Sequence, residues 1–206
     1  MIIVGLTGGI ATGKSVVAQM LADKGAVILD TDKIARDVVD VGQPAWQEII
    51  DYFGENVKLP DENIDRKKLG EMIFSDEEAR EKLNSIVHPR VNMKLMEETE
   101  QLKKKSSPPE VLVYDVPLLI ETGAYDMVDM VVLVYTTQQV QKERLKKRDG
   151  FLEEEIEARL SSQMDLDEKK KYADYTIDNT GNMEETSSQV DELWGILPLV
   201  GMKKIK

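Results

Sequence analysis

Residues 8–15 read G-G-I-A-T-G-K-S and match the pattern G-x4-G-K-[S/T] of phosphate-binding loops. An apolar, β-branched run precedes them at residues 2–6, and apolar residues at helical spacing follow between positions 16 and 21. This context predicts a buried strand, a glycine-rich turn and a helix, as phosphate binding requires. The glycines let backbone N–H groups converge on phosphate oxygens, Lys14 reaches the β- and γ-phosphates, and the Ser15 hydroxyl is a ligand for Mg²⁺. We interpret the stretch as a nucleoside-triphosphate site.

The rest of the chain predicts an α/β protein with a helical insertion. Strand-like runs alternate with helical patterns in the first and last parts of the chain. The middle part, about residues 32–105, has helical spacing only. Breaks in this helical pattern lie at Gly42–Pro44, Leu59–Asp61 and His88–Pro89. Continuous apolar strands alternating with helices indicate a parallel sheet covered on both faces. The strand-like runs lie at 2–6, 26–29, 111–114, 131–135 and 175–178. We divide the single domain into a core (1–31, 110–140 and 173–206), an insertion (32–109) and a lid (141–172).

Composition excludes several classes of function. The chain has 206 residues, with 27 Lys and Arg against 39 Asp and Glu, a net charge of −12. This balance argues against non-specific nucleic-acid binding, which needs a basic face. The lack of cysteine excludes disulfides and thiol catalysis, and the one histidine, His88, cannot form a multi-histidine metal site. Since no apolar run reaches the ~20 residues of a membrane span and no basic region precedes the first one, we expect a cytoplasmic protein without a membrane partner. We also expect a monomer, with weak self-association as the alternative.

The loop alone does not fix the reaction, because GTPases, ATPase motors and small-molecule kinases share it. The guanine-recognition string N-K-x-D is absent, and the D-x-x-G strings at 51–54 and 178–181 lie outside the position of a GTPase switch loop. A motor ATPase would need a longer chain. A kinase needs a base, an acceptor pocket and a cationic lid, and the sequence offers candidates for each.

Carboxylates follow two of the predicted strands: Asp30 and Asp32 after the second, and Asp115 after the third. Because the carboxyl ends of parallel strands form the ligand-binding edge of such a sheet, a carboxylate there can accept the proton of an acceptor hydroxyl. We favour Asp32 over Asp30 for this role, and a helix cap is the alternative for either. Asp115 has the position of an acid that holds Mg²⁺, with a strand-end turn residue before Pro117 as the alternative.

Arg144, Arg148 and Arg159 lie on two consecutive predicted helices that flank Asp149-Gly150. This arrangement is typical of a hinged lid that brings guanidinium groups onto transferring phosphates, and a solvated basic helix face is the alternative. His88 precedes a proline, where a packed or capping residue competes with a substrate contact.

Taken together, these stretches resemble the dephospho-CoA kinase family, as far as about Trp194. Each short motif is weak alone, whereas their order and spacing are specific. The motifs are L-T-G-G-I-x-x-G-K-S at 6–15, D-T-D-x-I-A-R at 30–36, H-P at 88–89, D-V-P-L-L-x-E at 115–121, R-L-x-x-R-D-G at 144–150, E-A-R-L-x-x-Q at 157–163 and I-x-N-x-G at 177–181.

The resemblance implies ATP- and Mg²⁺-dependent phosphorylation of the ribose 3′-hydroxyl of dephospho-CoA, the last step of coenzyme A synthesis. It also implies a P-loop kinase fold whose helical insertion binds the substrate and whose lid includes residues 144–163. Asp32 matches the family's base, and residues 179–181 match a loop near the adenine. The site residues that we predict are Gly8, Gly9, Ala11, Thr12, Gly13, Lys14, Ser15, Val16, Arg144 and Asn179 for ATP; Asp32, Arg36, His88, Asp115, Arg148 and Arg159 for the substrate; Asp32, Lys14 and Arg144 for catalysis; and Ser15 and Asp115 for the metal.

The loop departs from the family pattern at Ala11, where many relatives carry glycine, and we expect Ala11 to keep the turn with a negative φ. Ile120 replaces a frequent aromatic residue. Two alternatives remain: a nucleoside monophosphate kinase, whose phosphate acceptor would have less need of a carboxylate at Asp32, and an ATP-hydrolysing switch protein without an acceptor.

Overall fold

The centre of the fold is strand β1 (Ile2–Gly8), which lies between β3 and β4 in a five-stranded parallel sheet of order β2-β3-β1-β4-β5. The computed structural model describes the backbone of residues 1–203 and the side chains of all of these except 75 and 201–203. The other strands are β2 (Val27–Asp30), β3 (Val111–Asp115), β4 (Met130–Tyr135) and β5 (Tyr175–Asp178). The predicted α/β fold with a parallel sheet is confirmed.

Helices connect the strands and follow the last one. They are α1 (Lys14–Asp23), α2 (Thr31–Asp37), α3 (Pro44–Phe53), α4 (Arg66–Ser75), α5 (Glu77–Lys103), α6 (Gln138–Asp149), α7 (Glu153–Ser161), α8 (Leu166–Lys169) and α9 (Met183–Lys203). Short 3₁₀ turns lie at Glu55–Val57, Ala124–Met127 and Lys170–Tyr172. None of the helices within residues 1–203 combines the length and the apolar character that a membrane span needs.

Apolar strand residues and the inner faces of α1 and α9 form the core around the sheet. Leu6, Val132, Leu21 and Leu193 in this core are fully buried. Burial of one such side chain contributes about 1.5–3 kcal/mol. The register sets Leu6 beside Asp115, so that the end of β3 lies next to the strand that leads into the glycine-rich loop.

The chain forms two compact units. The first consists of Met1–Leu29 with the described residues from Ser106 onward, and it contains the glycine-rich loop and most of the sheet. The second, Asp30–Lys105, is helical and has its own core, in which Ile49, Phe53 and Ile86 are buried.

Helix α5 differs from the prediction because it continues through Pro89, where the sequence indicates a break. Proline removes the helical hydrogen bond to the carbonyl of Ser85, and the Arg90 guanidinium donates to the next carbonyl, that of Ile86, at 2.6 Å. Buried residues on both sides of the proline, Ile86 and Val91, keep the two halves in one helix. Tertiary packing therefore overrides a local breaker.

Candidate active site

The loop between β1 and α1 closes on itself through hydrogen bonds. The hydroxyl of Thr12 donates to the carbonyl of Gly9 at 2.9 Å, and the N–H of Val16 donates to the carbonyl of Gly13 at 2.9 Å. Gly13 has a φ of +91°, and a side chain there would collide with the amide of Asn179. The loop therefore requires glycine at position 13 for two independent reasons.

Ala11 corrects one expectation. Its φ is +59°, in the left-handed region, whereas we expected a negative value. The carbonyls of Ala11 and Thr12 both accept hydrogen bonds from one nitrogen of Arg144, each at 3.2 Å. Ala11 lies in a turn of the loop. A non-glycine residue in this conformation costs roughly 1–2 kcal/mol.

Arg144 and Asn179 hold the loop from the side of α6 and β5. Arg144 also donates to the carbonyl of Asn179 at 2.7 Å, and the Asn179 amide donates to the carbonyl of Thr12 at 2.7 Å. The hydroxyl of Thr186 donates to the side-chain oxygen of Asn179 at 2.7 Å and fixes its orientation. Arg144 and Asn179, which we predicted to bind ATP, thus lie at the loop and contact its backbone.

Two glutamines that sequence reasoning missed bind the loop at Ile10. The Gln141 amide donates to the carbonyl of Ile10 at 2.7 Å, and the side-chain oxygen of Gln163 accepts the N–H of Ile10 at 2.8 Å. Gln163 ends one of the family motifs, which was a signal, whereas Gln141 has only its helical position. The fold shows that these residues, separated by 22 positions, bind the N–H and the carbonyl of the same residue.

Lys14 and Asp115 form an ion pair at the mouth of the loop. Asp115 is 6% exposed, and Ser15 is exposed in the first turn of α1. A hydroxyl and a carboxylate are oxygen donors of the type that Mg²⁺ takes. Within residues 1–203, no group of three or more acidic or histidine side chains forms a preassembled metal site. A hydroxyl and a carboxylate fill only part of the octahedral shell of Mg²⁺, which usually includes waters and substrate phosphates.

Asp30 and Asp32 differ clearly in the structure. The Asp30 carboxylate caps α2, because it accepts the N–H groups of Asp32 at 2.9 Å and Lys33 at 3.1 Å. The Asp32 side chain is exposed in the first turn of the same helix. The capping alternative therefore describes Asp30.

Arg36 and His88 lie with Asp32 in the helical unit. Arg36 is exposed in the last turn of α2, and its carbonyl accepts a hydrogen bond from Arg66 at 3.4 Å. His88 lies on α5 and keeps an exposed edge, while the packing around its ring lowers the pKa of the imidazole below its ordinary value. Its ring is therefore neutral at pH 7.

Arg148 and Arg159 have partners within the α6–α7 hairpin. Arg148 donates to the carboxylate of its neighbour Asp149 at 2.8 and 3.0 Å, which lowers the pKa of that carboxyl. The Arg159 guanidinium lies 4.1 Å from the centre of the Phe151 ring. Gly150, with a φ of +70°, ends α6 between them. Of the three predicted lid arginines, only Arg144 contacts the loop.

Comparison with known proteins identifies the family. The dephospho-CoA kinase family model matches residues 2–185. Dephospho-CoA kinases from Bacillus licheniformis and Thermobifida fusca are each 43% identical to this chain; the alignments cover 93% and 94% of it, and 94% and 95% of those proteins.

Solved structures agree with this result. The chain is similar to a crystal structure from Thermus thermophilus, with a TM-score of 0.80, 31% identity and coverage of 94% of this chain and 96% of the other. It is also similar to the dephospho-CoA kinase from Campylobacter jejuni, with a TM-score of 0.70, 30% identity and coverage of 95% and 96%. Shikimate kinase from Acinetobacter baumannii, at 19% identity and a TM-score of 0.51, shares the fold. With its phosphate-binding loop and its family match over nearly the whole chain, this protein belongs to the dephospho-CoA kinase family.

Proposed function

We propose that this protein transfers the γ-phosphoryl group of ATP to the ribose 3′-hydroxyl of dephospho-CoA, yielding coenzyme A and ADP. The observation that carries the proposal is the phosphate-binding loop, with Lys14 at its mouth, inside a chain that matches the dephospho-CoA kinase family over residues 2–185. The transfer forms a bond between the 3′-oxygen and the γ-phosphorus and breaks the bond from that phosphorus to ADP. The proton of the hydroxyl must leave at the same time.

The loop and the first turn of α1 hold the phosphates of ATP. Their N–H groups and the positive end of the helix favour the negative charge, and Lys14 supplies a full positive charge to the transferring group. Arg144 and Asn179 support ATP through the loop backbone that they hold. Electrostatic stabilisation of this kind needs donors that do not reorganise, and hydrogen bonds to the loop carbonyls provide that rigidity.

A magnesium ion bound with ATP would be held by the Ser15 hydroxyl and the Asp115 carboxylate. When bound, it neutralises negative charge on the β- and γ-phosphates. Lys14 exchanges its contact with Asp115 for contacts with phosphate oxygens, which frees an oxygen of that carboxylate. The side chains that would hold the metal and the lysine that binds the phosphates lie at the same edge of the sheet.

Asp32 accepts the proton of the 3′-hydroxyl. Its carboxylate is exposed at the start of α2, and the neighbouring Asp30 is already engaged as the helix cap. Asp32 also aligns the hydroxyl for in-line attack, because a carboxylate oxygen is a strong hydrogen-bond acceptor.

The remaining predicted residues contact the substrate. Arg36 and the neutral His88 of the helical unit bind polar groups of dephospho-CoA. Arg148 and Arg159 reach transferring or substrate phosphates when the hairpin closes over them, since a phosphate competes with Asp149 for Arg148. The hairpin acts as the lid.

The test is ADP release measured under four conditions: with dephospho-CoA, AMP or CMP as the acceptor, and without an acceptor. We expect release with dephospho-CoA to exceed the other three conditions by at least about 10²-fold, because the active site assembles only around its own acceptor. A matched control is the Lys14→Ala variant, which we expect to be inactive in all four. Release with a nucleoside monophosphate as the best acceptor would indicate the monophosphate kinase, and equal release without acceptor would indicate the switch protein.

A further inference from the structure

Lys169 is the largest side chain that the described part of the chain buries fully. It ends α8, and its ammonium donates to the carbonyl of Pro117 at 3.0 Å and pairs with Glu121 at 2.8 Å. Removing an ammonium from water is costly, and an apolar residue of similar volume often stabilises a core as well or better. Core packing alone therefore does not account for a lysine here.

The Pro117 carbonyl joins the two segments that carry the active site. It also accepts a hydrogen bond from the hydroxyl of Thr7 at 3.0 Å. Thr7 directly precedes Gly8, where the loop begins, and Pro117 follows Asp115 by two residues. The Lys169 ammonium thus binds the same carbonyl through which the segment after Asp115 is held to the strand that carries the loop.

Glu121 extends this connection to the end of the lid. Its carboxylate accepts the N–H of Met164 at 3.2 Å in addition to the ammonium of Lys169. The residue before Met164 is Gln163, whose side chain accepts the N–H of Ile10 in the loop. The chain from Gln163 to Lys169 is therefore bonded at one end to the loop and at the other to the segment after β3.

We propose that Lys169 is a positioning residue for phosphoryl transfer, which holds the segment after Asp115 in place beside the phosphate-binding loop through Pro117 and Glu121. The inference rests on the proposed function, because its effect is on catalysis by groups that Lys169 does not touch. Loss of the ammonium releases Pro117 and Glu121 from α8, so that the segment after Asp115 can move beside the loop. A displacement of about 1 Å at the reacting groups can cost 10²-fold in rate.

The experiment uses three variants: Lys169→Met, Glu121→Gln and the double variant that combines these two substitutions. Lys171→Met is the control. Lys171 is a matched control, since its side chain is 65% exposed and pairs only with Glu168. The free energy of unfolding is measured for every variant. Below the unfolding transition of every variant, we also measure kcat, KM for each substrate, and amide hydrogen exchange of peptides covering residues 6–13 and 114–121. The double variant removes both charges, so that stability is restored if charge balance is all that Lys169 provides.

For Lys169→Met we expect a loss of kcat of about tenfold or more, a KM for dephospho-CoA within twofold of wild type, and faster exchange in both peptides. The double variant should keep the loss of kcat, and Lys171→Met should behave as wild type. Unchanged kcat in Lys169→Met, or recovery of kcat together with stability in the double variant, would overturn the inference. If Lys169→Met does not fold, Glu121→Gln decides by the same criteria. A wild-type protein without transfer activity would refute the proposed function, and exchange alone would then decide the role of Lys169.

Discussion

Arg144 and Arg148 lie one turn apart on α6, and their surroundings are opposite. Arg144 donates to the carbonyls of Ala11, Thr12 and Asn179, whereas Arg148 is 63% exposed and is bonded to its neighbour Asp149. The base of the α6–α7 hairpin, around Arg144, is thus part of the loop's support. The tip of the hairpin, around Arg148 and Gly150, depends on local contacts.

The contacts of Arg144 are part of the folded loop, whereas we expect those of Arg148 to change when a ligand binds. A loop that stabilises developing charge works best when its donors are held before the substrate arrives. A lid must open for exchange and close for chemistry, so its contacts have to be weak enough to replace. The ion pairs of Lys142 with Glu153 and Glu157 are contacts of this replaceable kind. Leu152, near the tip of the hairpin, is 71% exposed.

The largest effect that we expect tests the fixed region. Lys14→Ala should lower kcat by about 10³-fold or more, because the loop loses its only full charge on the transferring phosphoryl group. The measurement is kcat with saturating dephospho-CoA, together with the free energy of unfolding, since Lys14 also pairs with Asp115.

Lys24→Ala is the control for this substitution. Lys24 lies directly after the same helix and pairs with Asp191, away from the loop. We expect wild-type kcat in that variant. Turnover of Lys14→Ala close to wild type would remove the loop from the mechanism.

The next effect concerns Asp32, which belongs to neither part of the hairpin. Asp32→Asn should lower kcat by about 10²-fold and leave the dissociation constant of dephospho-CoA nearly unchanged, because asparagine keeps a hydrogen bond but cannot take up a proton. Asp30→Asn is the matched control: asparagine is an equally good N-cap, so its kcat should stay near wild type. Equal losses of rate and affinity in Asp32→Asn would exclude Asp32 as the base.

Substitutions of the two arginines of α6 test the difference between the base and the tip of the hairpin. Arg148→Met should lower kcat about tenfold with an unchanged free energy of unfolding, because its only partner in the structure is an exposed neighbour. Arg144→Met should lower the free energy of unfolding by about 2–4 kcal/mol and raise KM for ATP, since three carbonyls lose a charged donor.

Urea unfolding and steady-state kinetics on the same preparations provide both quantities. Amide exchange at the tip, with and without both substrates, adds the expected closure: slower exchange around Gly150 when both are bound. A similar loss of stability in the two variants would contradict the division of the hairpin into a fixed base and a movable tip.

The smallest effect concerns strain in the loop. Ala11→Gly should raise the free energy of unfolding by up to about 1 kcal/mol, because relief of the positive φ outweighs the added flexibility of the unfolded chain. Ala22→Gly in α1, where the backbone is helical, should lower it by about 1 kcal/mol. Both values come from urea unfolding. A lower stability of Ala11→Gly would show that the positive φ costs nothing at this position.

The sequence predicts the parts of this molecule that depend on neighbours in the chain. The loop motif, the five strands and the cap at the start of α2 all follow from patterns a few residues long. Contacts between distant segments are not predicted: Gln141 and Lys169 look like ordinary helix residues, and the motif that ends at Gln163 does not show which residue Gln163 contacts. Pro89 shows the opposite error, in which a local breaker is overruled by packing on both sides.

The site shows the same division. The motifs around Arg144 and Asn179 predict that these residues belong to a nucleotide site, but the sequence does not show that they hold loop carbonyls. The sign of φ at Ala11 depends on those contacts, so it too lies beyond the local pattern.

The central claim is that the acceptor is the ribose 3′-hydroxyl of dephospho-CoA. Phosphorus NMR of the product, formed with ATP and dephospho-CoA, tests it most directly, because a phosphate on the 3′-oxygen couples to the ribose 3′-proton. The account predicts one new phosphomonoester resonance with that coupling, in an amount equal to the ADP formed, and no such resonance with Lys14→Ala. A monoester on another oxygen, a new phosphoanhydride, or inorganic phosphate as the only product would contradict it.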